Sequence, residues 1–215
     1  MTHVVRPLTS ELSLIGALLL ACASLPAHAA RQFFTDDARI VENCQIETFY
    51  KTQRTYSGSE FWFLPACNPA GFEITLGGNR IEDERNTIVQ AKFLLKTLET
   101  NGLGYALSLG SFGGDPYFNF ITSRSFMDDR LVVHGNLGDF RDGGGTWGLG
   151  LEALLAAPRV YGIFETFGQH RETPTYHYGV RFWVIPNRFQ VDTTRGDQTG
   201  AGNRRFYTVG LRLLF

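Results

Sequence analysis

The chain has little of what the common functional classes require. After the first thirty residues no segment approaches the roughly 20 consecutive apolar residues that a membrane-spanning helix needs, which excludes a helical membrane protein. Charge of one sign is also missing: 20 Lys plus Arg stand against 21 Asp plus Glu, so no basic surface steers the chain toward nucleic acid. Cysteine is scarce. Of Cys22, Cys44 and Cys67 the first lies in the N-terminal apolar run, and the remaining two cannot close a zinc site alone. No Gly-x-Ser-x-Gly elbow is present, and Gly143-Gly144-Gly145 is not followed by the Lys-Ser or the helix of a phosphate loop. No catalytic residue, metal ligand or cofactor is therefore expected.

The N-terminus reads as an export signal. Arg6 precedes an apolar run from Leu12 to Leu25, shorter than a spanning helix, and Ala27-His28-Ala29 is the small-x-small pattern cut by signal peptidase, so residues 1–29 are expected to be removed. A lipoprotein is the competing reading, because Leu19-Leu20-Ala21-Cys22 approximates the tetrapeptide that ends in an acylated cysteine. In an exported chain Cys44 and Cys67 are expected to form a disulfide, structural in role. It closes a loop of about 23 residues, worth roughly 3 kcal/mol in the chain-entropy model.

What the chain does have is glycine and aromatic residues, 24 Gly, 18 Phe and 8 Tyr, arranged with a period of two. In the last nine residues Tyr207, Val209, Leu211, Leu213 and Phe215 lie on one face and Thr208, Gly210, Arg212 and Leu214 on the other. The same split separates Tyr178, Val180, Phe182 and Val184 from His177, Gly179, Arg181 and Trp183. It also separates Trp147, Leu149, Leu151 and Ala153 from Gly148, Gly150 and Glu152. About twelve such runs follow Asn43, bounded by Gly, Pro, Asn or Asp.

A soluble sandwich shows the same period, so other signals must separate it from a membrane barrel. Connections near Pro65 to Ala70, Thr97 to Gly102, Met127 to Asp129, Ala156 to Pro158 and Pro186-Asn187 are mostly short. The alternate set, near 52–59, 78–86, 111–116, 139–145, 169–174 and 195–203, reads as longer and more polar, the habit of periplasmic turns against outer loops. Phe72, Tyr161, Phe189, Tyr207 and Phe215 fall near strand ends, as in aromatic girdles. The face Tyr207, Val209, Leu211, Leu213 and Phe215 resembles the C-terminal signal by which outer-membrane barrels engage their insertion machinery.

The expected fold is thus all-β: a single antiparallel up-and-down transmembrane β-barrel of about 12 strands over residues 44–215, with ten and fourteen as the neighbouring counts. The run 117–126 changes its favoured face near Ile121 and predicts a bulge there. Residues 30–43 form either a periplasmic segment or a plug, the latter because Asp36 and Asp37 could reach basic groups inside. Cys44 and Cys67 then share the periplasmic rim.

Several segments carry a resemblance: Phe34-Thr35-Asp36-Asp37-Ala38-Arg39-Ile40-Val41, Cys44-Gln45-Ile46-Glu47, Leu64-Pro65-Ala66-Cys67-Asn68-Pro69 and Gly210-Leu211-Arg212-Leu213-Leu214. Together with Leu98 to Gly102, Asp128 to Val132 and Glu165 to Gln169 they resemble an uncharacterised family of proteobacterial secreted proteins. The resemblance spans nearly the whole mature chain, implies one recurrent domain and brings no activity with it.

By parity the inward positions include Glu47, Glu73, Lys92, Lys96, His134, Glu152, Glu165, His177, Arg181, Asp192 and Arg212. Charges of both signs against a narrow lumen must pair or stay wet, so the alternatives are a plugged barrel and a water-filled pore. Inward Gly104, Gly148, Gly150, Gly179 and Gly210 leave room, which favours a narrow pore for small solutes or ions. The other readings are a closed barrel binding a partner through outer loops and, last, an outer-membrane hydrolase using His134, His170 or His177, for which no partner serine is evident. The expected surroundings are the outer membrane of a Gram-negative bacterium after export to the periplasm, with lipid and the insertion machinery as partners.

Overall fold

The alternation of apolar and polar residues extends through the whole described chain, and each alternating run finds a hydrogen-bonded neighbour on both sides. The computed structural model describes residues 35–53, 58–156, 158–200 and 204–215; the signal-peptide reading of 1–29 and the lipoprotein reading at Cys22 lie outside them. Twelve strands follow one another: β1 (Cys44–Gln53), β2 (Ser59–Cys67), β3 (Phe72–Ile81), β4 (Glu84–Lys96), β5 (Leu103–Phe112), β6 (Asp115–Phe126), β7 (Leu131–Phe140), β8 (Gly144–Ala156), β9 (Val160–Gln169), β10 (Thr175–Ile185), β11 (Phe189–Gln198) and β12 (Phe206–Leu214). Among the described residues there is no helix.

Each strand is antiparallel to the next, and β12 returns to β1, so the sheet closes into a barrel without a free edge. Reciprocal backbone bonds of 3.1 Å between Cys44 and Phe215 complete the seam. Beside it Cys44 faces Cys67 directly across the β1–β2 pair, and the two form a disulfide. The rim of this disulfide holds the even-to-odd turns, and the opposite rim holds the odd-to-even turns.

The barrel is inside out relative to a soluble one. Tyr207, Val209, Leu211, Leu213 and Phe215 are all more than 40 % exposed, while the intervening Thr208, Gly210 and Arg212 are buried. The largest fully buried side chains include Arg181, His134, Gln190 and Glu165, whereas Leu76, Leu109, Phe118 and Leu137 are exposed. A polar interior under an apolar exterior lowers the free energy only if the outer medium is itself apolar.

Three expectations need correction. Ile121 marks no bulge: β6 pairs residue for residue with β5 and β7, and Ile121 points inward because Ala38 and Ala106 pack against it. Register shifts instead occur at Leu94/Lys96, Leu154/Ala156 and Trp183/Ile185, all toward the disulfide rim. Lys96 is not inward, because the shift on β4 sets it opposite Tyr105 on the outer face, where it is exposed. The expected contrast in loop length is also absent. Connections of two residues join β3 to β4 and β5 to β6 at the rim where longer loops were expected, while six residues join β4 to β5 at the disulfide rim. Gly113 and Gly114 both take positive φ, 59° and 93°, the geometry of a tight two-residue hairpin, so the strands continue where polar residues had read as loop.

Candidate functional site

Parity places Glu47, Glu73, Lys92, His134, Glu152, Glu165, His177, Arg181, Asp192 and Arg212 on inward faces, and none is more than 6 % exposed. Buried charge is tolerable when it is paired and hydrogen-bonded, and these groups are. Arg181 joins two carboxylates, with Nη1 2.8 Å from Glu152 and Nη2 3.1 Å from Asp192. His134 bridges Ser123 Oγ, at 2.8 Å, and Glu152, at 3.2 Å. His177 contacts Glu165 and lies 3.1 Å from Thr194 Oγ1. Arg212 donates to Gln45 at 2.7 Å and lies 3.4 Å from Glu47.

The described residues before β1 share this interior. Thr35, Asp36, Ala38 and Val41 are all buried, and the backbone N–H groups of Thr35, Ala38 and Val41 reach the barrel wall at successive heights. Val41 N–H donates to Glu73 at 3.0 Å, Ala38 N–H to Ser123 Oγ at 2.9 Å, and Thr35 N–H to Glu165. Lys92 lies 2.8 Å from Asp36 and 3.8 Å from Asp37. Near the disulfide rim Asn68 donates to Val41 O at 2.9 Å; deeper in the lumen, at the foot of the open space, Asn136 donates to Asp36 O at 3.1 Å. A Cβ on Gly148 would collide with the Thr35 side chain, so part of the space left by inward glycine is filled by this segment. Ser123, His134 and Glu152 do form a hydrogen-bonded series, but Ser123 is fully enclosed beneath the Ala38 amide, which makes it a support for the segment.

Above that level the lumen opens. A chamber of about 770 Å³ extends from Asp36 and Asn136 toward the rim opposite the disulfide. Its wall carries Phe49, Trp62 and Phe112 in a stacked series, with centroids 5.1 and 5.8 Å apart, and the amides of Asn79, Gln90 and Asn119. Lys51 pairs with Glu60 at 2.7 Å and sits 4.9 Å above the Phe206 ring. His170 is exposed in the β9–β10 turn. Among the described residues no cluster of His, Cys, Asp and Glu could hold a metal. The aromatic and amide wall was not among the expected site residues. Its signal was available in inward parity, since Phe49, Trp62, Asn79, Gln90 and Phe112 occupy the same lumenal face as the charged positions.

Architecture and lining together define a small closed barrel of the type seen in porins, with an apolar outer surface and a polar lumen. The chain belongs to the family described as uncharacterised conserved protein UCP029691, whose model matches residues 17–215. No curated protein matches it. Solved structures share the fold at low identity. A KdgM porin in complex with disordered oligogalacturonate gives a TM-score of 0.64 at 14 % identity, over 80 % of this chain and 99 % of that one. The NanC porin gives 0.58 at 8 % identity, over 80 % and 100 %. The outer membrane protein Omp33 of Acinetobacter baumannii gives 0.53 at 7 %, over 80 % and 98 %.

Proposed function

We propose that the protein is an outer-membrane β-barrel of a Gram-negative bacterium that acts as a narrow pore for small solutes, with residues 35–43 folded inward as the restriction. On this reading residues 1–29 direct export, lipid covers the apolar exterior, and the β12 face ending at Phe215 engages the insertion machinery. The observation that carries the pore is the chamber of about 770 Å³, which lies in the lumen and ends on the inserted segment at Asp36. The porin fold of the structural neighbours supports a channel over an enzyme.

A closed barrel is the second reading, favoured by the bonds that tie the segment to Glu73, Lys92, Ser123 and Glu165. Single-channel recording in a planar bilayer separates the two, after a change of electrophoretic mobility on heating has verified folding. Small discrete current steps from the whole mature chain, and larger ones after deletion of residues 35–41, are expected. Silence from both folded proteins overturns the pore.

A further inference from the structure

The carboxylates that hold the inserted segment are bound by neutral donors. Glu73 accepts the Val41 N–H at 3.0 Å, Asp37 accepts the Arg39 N–H at 2.9 Å, and Glu165 accepts the Thr35 N–H while touching the His177 ring. A backbone N–H satisfies a carboxylate's hydrogen bonding and leaves its charge uncancelled. The basic side chains of the interior are committed elsewhere. Lys92 stands opposite Glu73 in the β3–β4 register but turns its ammonium to Asp36, at 2.8 Å, and reaches Asp37 only at 3.8 Å. Arg181 lies between Glu152 and Asp192, with Arg39 in electrostatic reach of Glu152, and Arg212 is taken by Glu47. The wall of the chamber carries Lys51 and Arg204 against Asp36, Glu60 and Glu172. With histidine counted as neutral, each of these groups of described residues is balanced or negative, and none is positive.

From this imbalance we propose that the pore selects by charge and carries small cations in preference to anions, with Glu73 and Glu165 as the residues that set the preference; the inference rests on the pore reading of this same lumen. No ion has to touch either carboxylate, both of which are buried beneath the segment. Charge acts through space, and between low-dielectric walls an uncancelled carboxylate attracts a passing cation and repels an anion. Channels that select cations by acidic side chains around the path use the same field. The imbalance also lies on the path: Asp36, next in the chain to the Thr35 amide that Glu165 holds, lines the floor of the chamber. An anion at this level meets no cation of the described lumen that a carboxylate does not already match.

The test is the reversal potential of the folded mature protein in a planar bilayer under a KCl gradient. Potassium is expected to permeate several-fold better than chloride, and the joint change Glu73→Gln and Glu165→Gln to lower that ratio by about half or more. Glutamine keeps a carbonyl oxygen for the Val41 and Thr35 N–H groups, so the segment stays seated; an intact heat-induced mobility change and current steps well below those of the 35–41 deletion verify this. Should the joint change prevent folding, Lys51→Gln carries the test, since it leaves Glu60 unmatched in the chamber and is expected to raise the ratio. Chloride permeating as well as potassium or better, or a ratio unmoved by the joint change in folded protein, overturns the proposal. If only the deletion protein conducts, the same preference for potassium is expected of it, because Glu73 and Glu165 belong to the wall. Current steps that favour chloride keep the pore and sink the charge preference, whereas silence from both folded proteins sinks the pore and the preference with it.

Discussion

The two halves of the lumen are built by the same strands and the same alternation, yet one is filled and the other is open. Toward the disulfide rim, inward residues of opposite charge close upon one another, Arg181 on Asp192 of the adjacent strand and on Glu152 two strands away, and Asp36 of the inserted segment takes Lys92. Toward the other rim the inward residues are mostly rings and amides, with the Lys51–Glu60 pair among them, and they line space. Inward parity decides which side of the wall a residue occupies. Whether that side is packed depends on what faces it across the barrel.

Removing a partner from the filled half should therefore have the largest effect. Arg181→Leu strands Glu152 and Asp192, and is expected to cost about 3–5 kcal/mol, because an uncompensated buried charge remains. In the open half Gln90→Leu replaces an amide with an unpartnered end and costs about 1 kcal/mol, chiefly through the lost acceptor for Tyr117. Urea unfolding of the barrel in detergent reads both, and equal midpoints would erase the distinction between the halves.

The disulfide belongs to the filled end, and its loss is next in size. Joint replacement of Cys44 and Cys67 by Ser frees a loop spanning 23 residues of sequence separation, worth about 3 kcal/mol in the chain-entropy model. Reduction of the unaltered protein should lower its unfolding midpoint by the same amount. A smaller shift would mean that the β1–β12 seam already holds this rim.

Gly148→Val tests the boundary between the halves. A side chain there collides with Thr35, so the inserted segment must shift; the expected result is larger current steps at a cost of about 1–3 kcal/mol, typical of overpacking. Unchanged steps with the full loss of stability would place the restriction elsewhere in the lumen.

Much of this architecture was legible because period two is an intrinsic property of a strand. The strands, the common rim of Cys44 and Cys67, and ten of the inward charged positions follow from it. Partnership did not. Arg181 reaches Asp192 on the adjacent strand but also Glu152 on β8, and no local pattern encodes the second contact. Ile121 looked like a fault in its strand because Ala38, which it packs against, is remote in sequence. Polar residues at the ends of β3 and β4 read as a loop, although polarity there reflects the barrel mouth and the backbone remains paired to Ile81 and Glu84. The chamber was missed for a related reason: its wall is mostly neutral amides and rings at inward parity, which carry no charge to draw notice, and its Lys51–Glu60 pair was passed over with them.

Lys96 offers the smallest and most discriminating change. A strict period of two counted from Lys92 sends it into the lumen, and only the register shift at Leu94/Lys96 turns it outward opposite Tyr105. There the ammonium lies near the disulfide rim, where a long stem can run along the apolar surface and keep its charge in water. Lys96→Ala should therefore alter stability by no more than about 0.5 kcal/mol and leave ion selectivity unchanged. Lys92→Met, by contrast, removes the partner of buried Asp36 and should change the current steps. If Lys96→Ala moved the selectivity of the pore, β4 would have to run without its bulge, and the inward face of its last turn would be the one that simple alternation predicts.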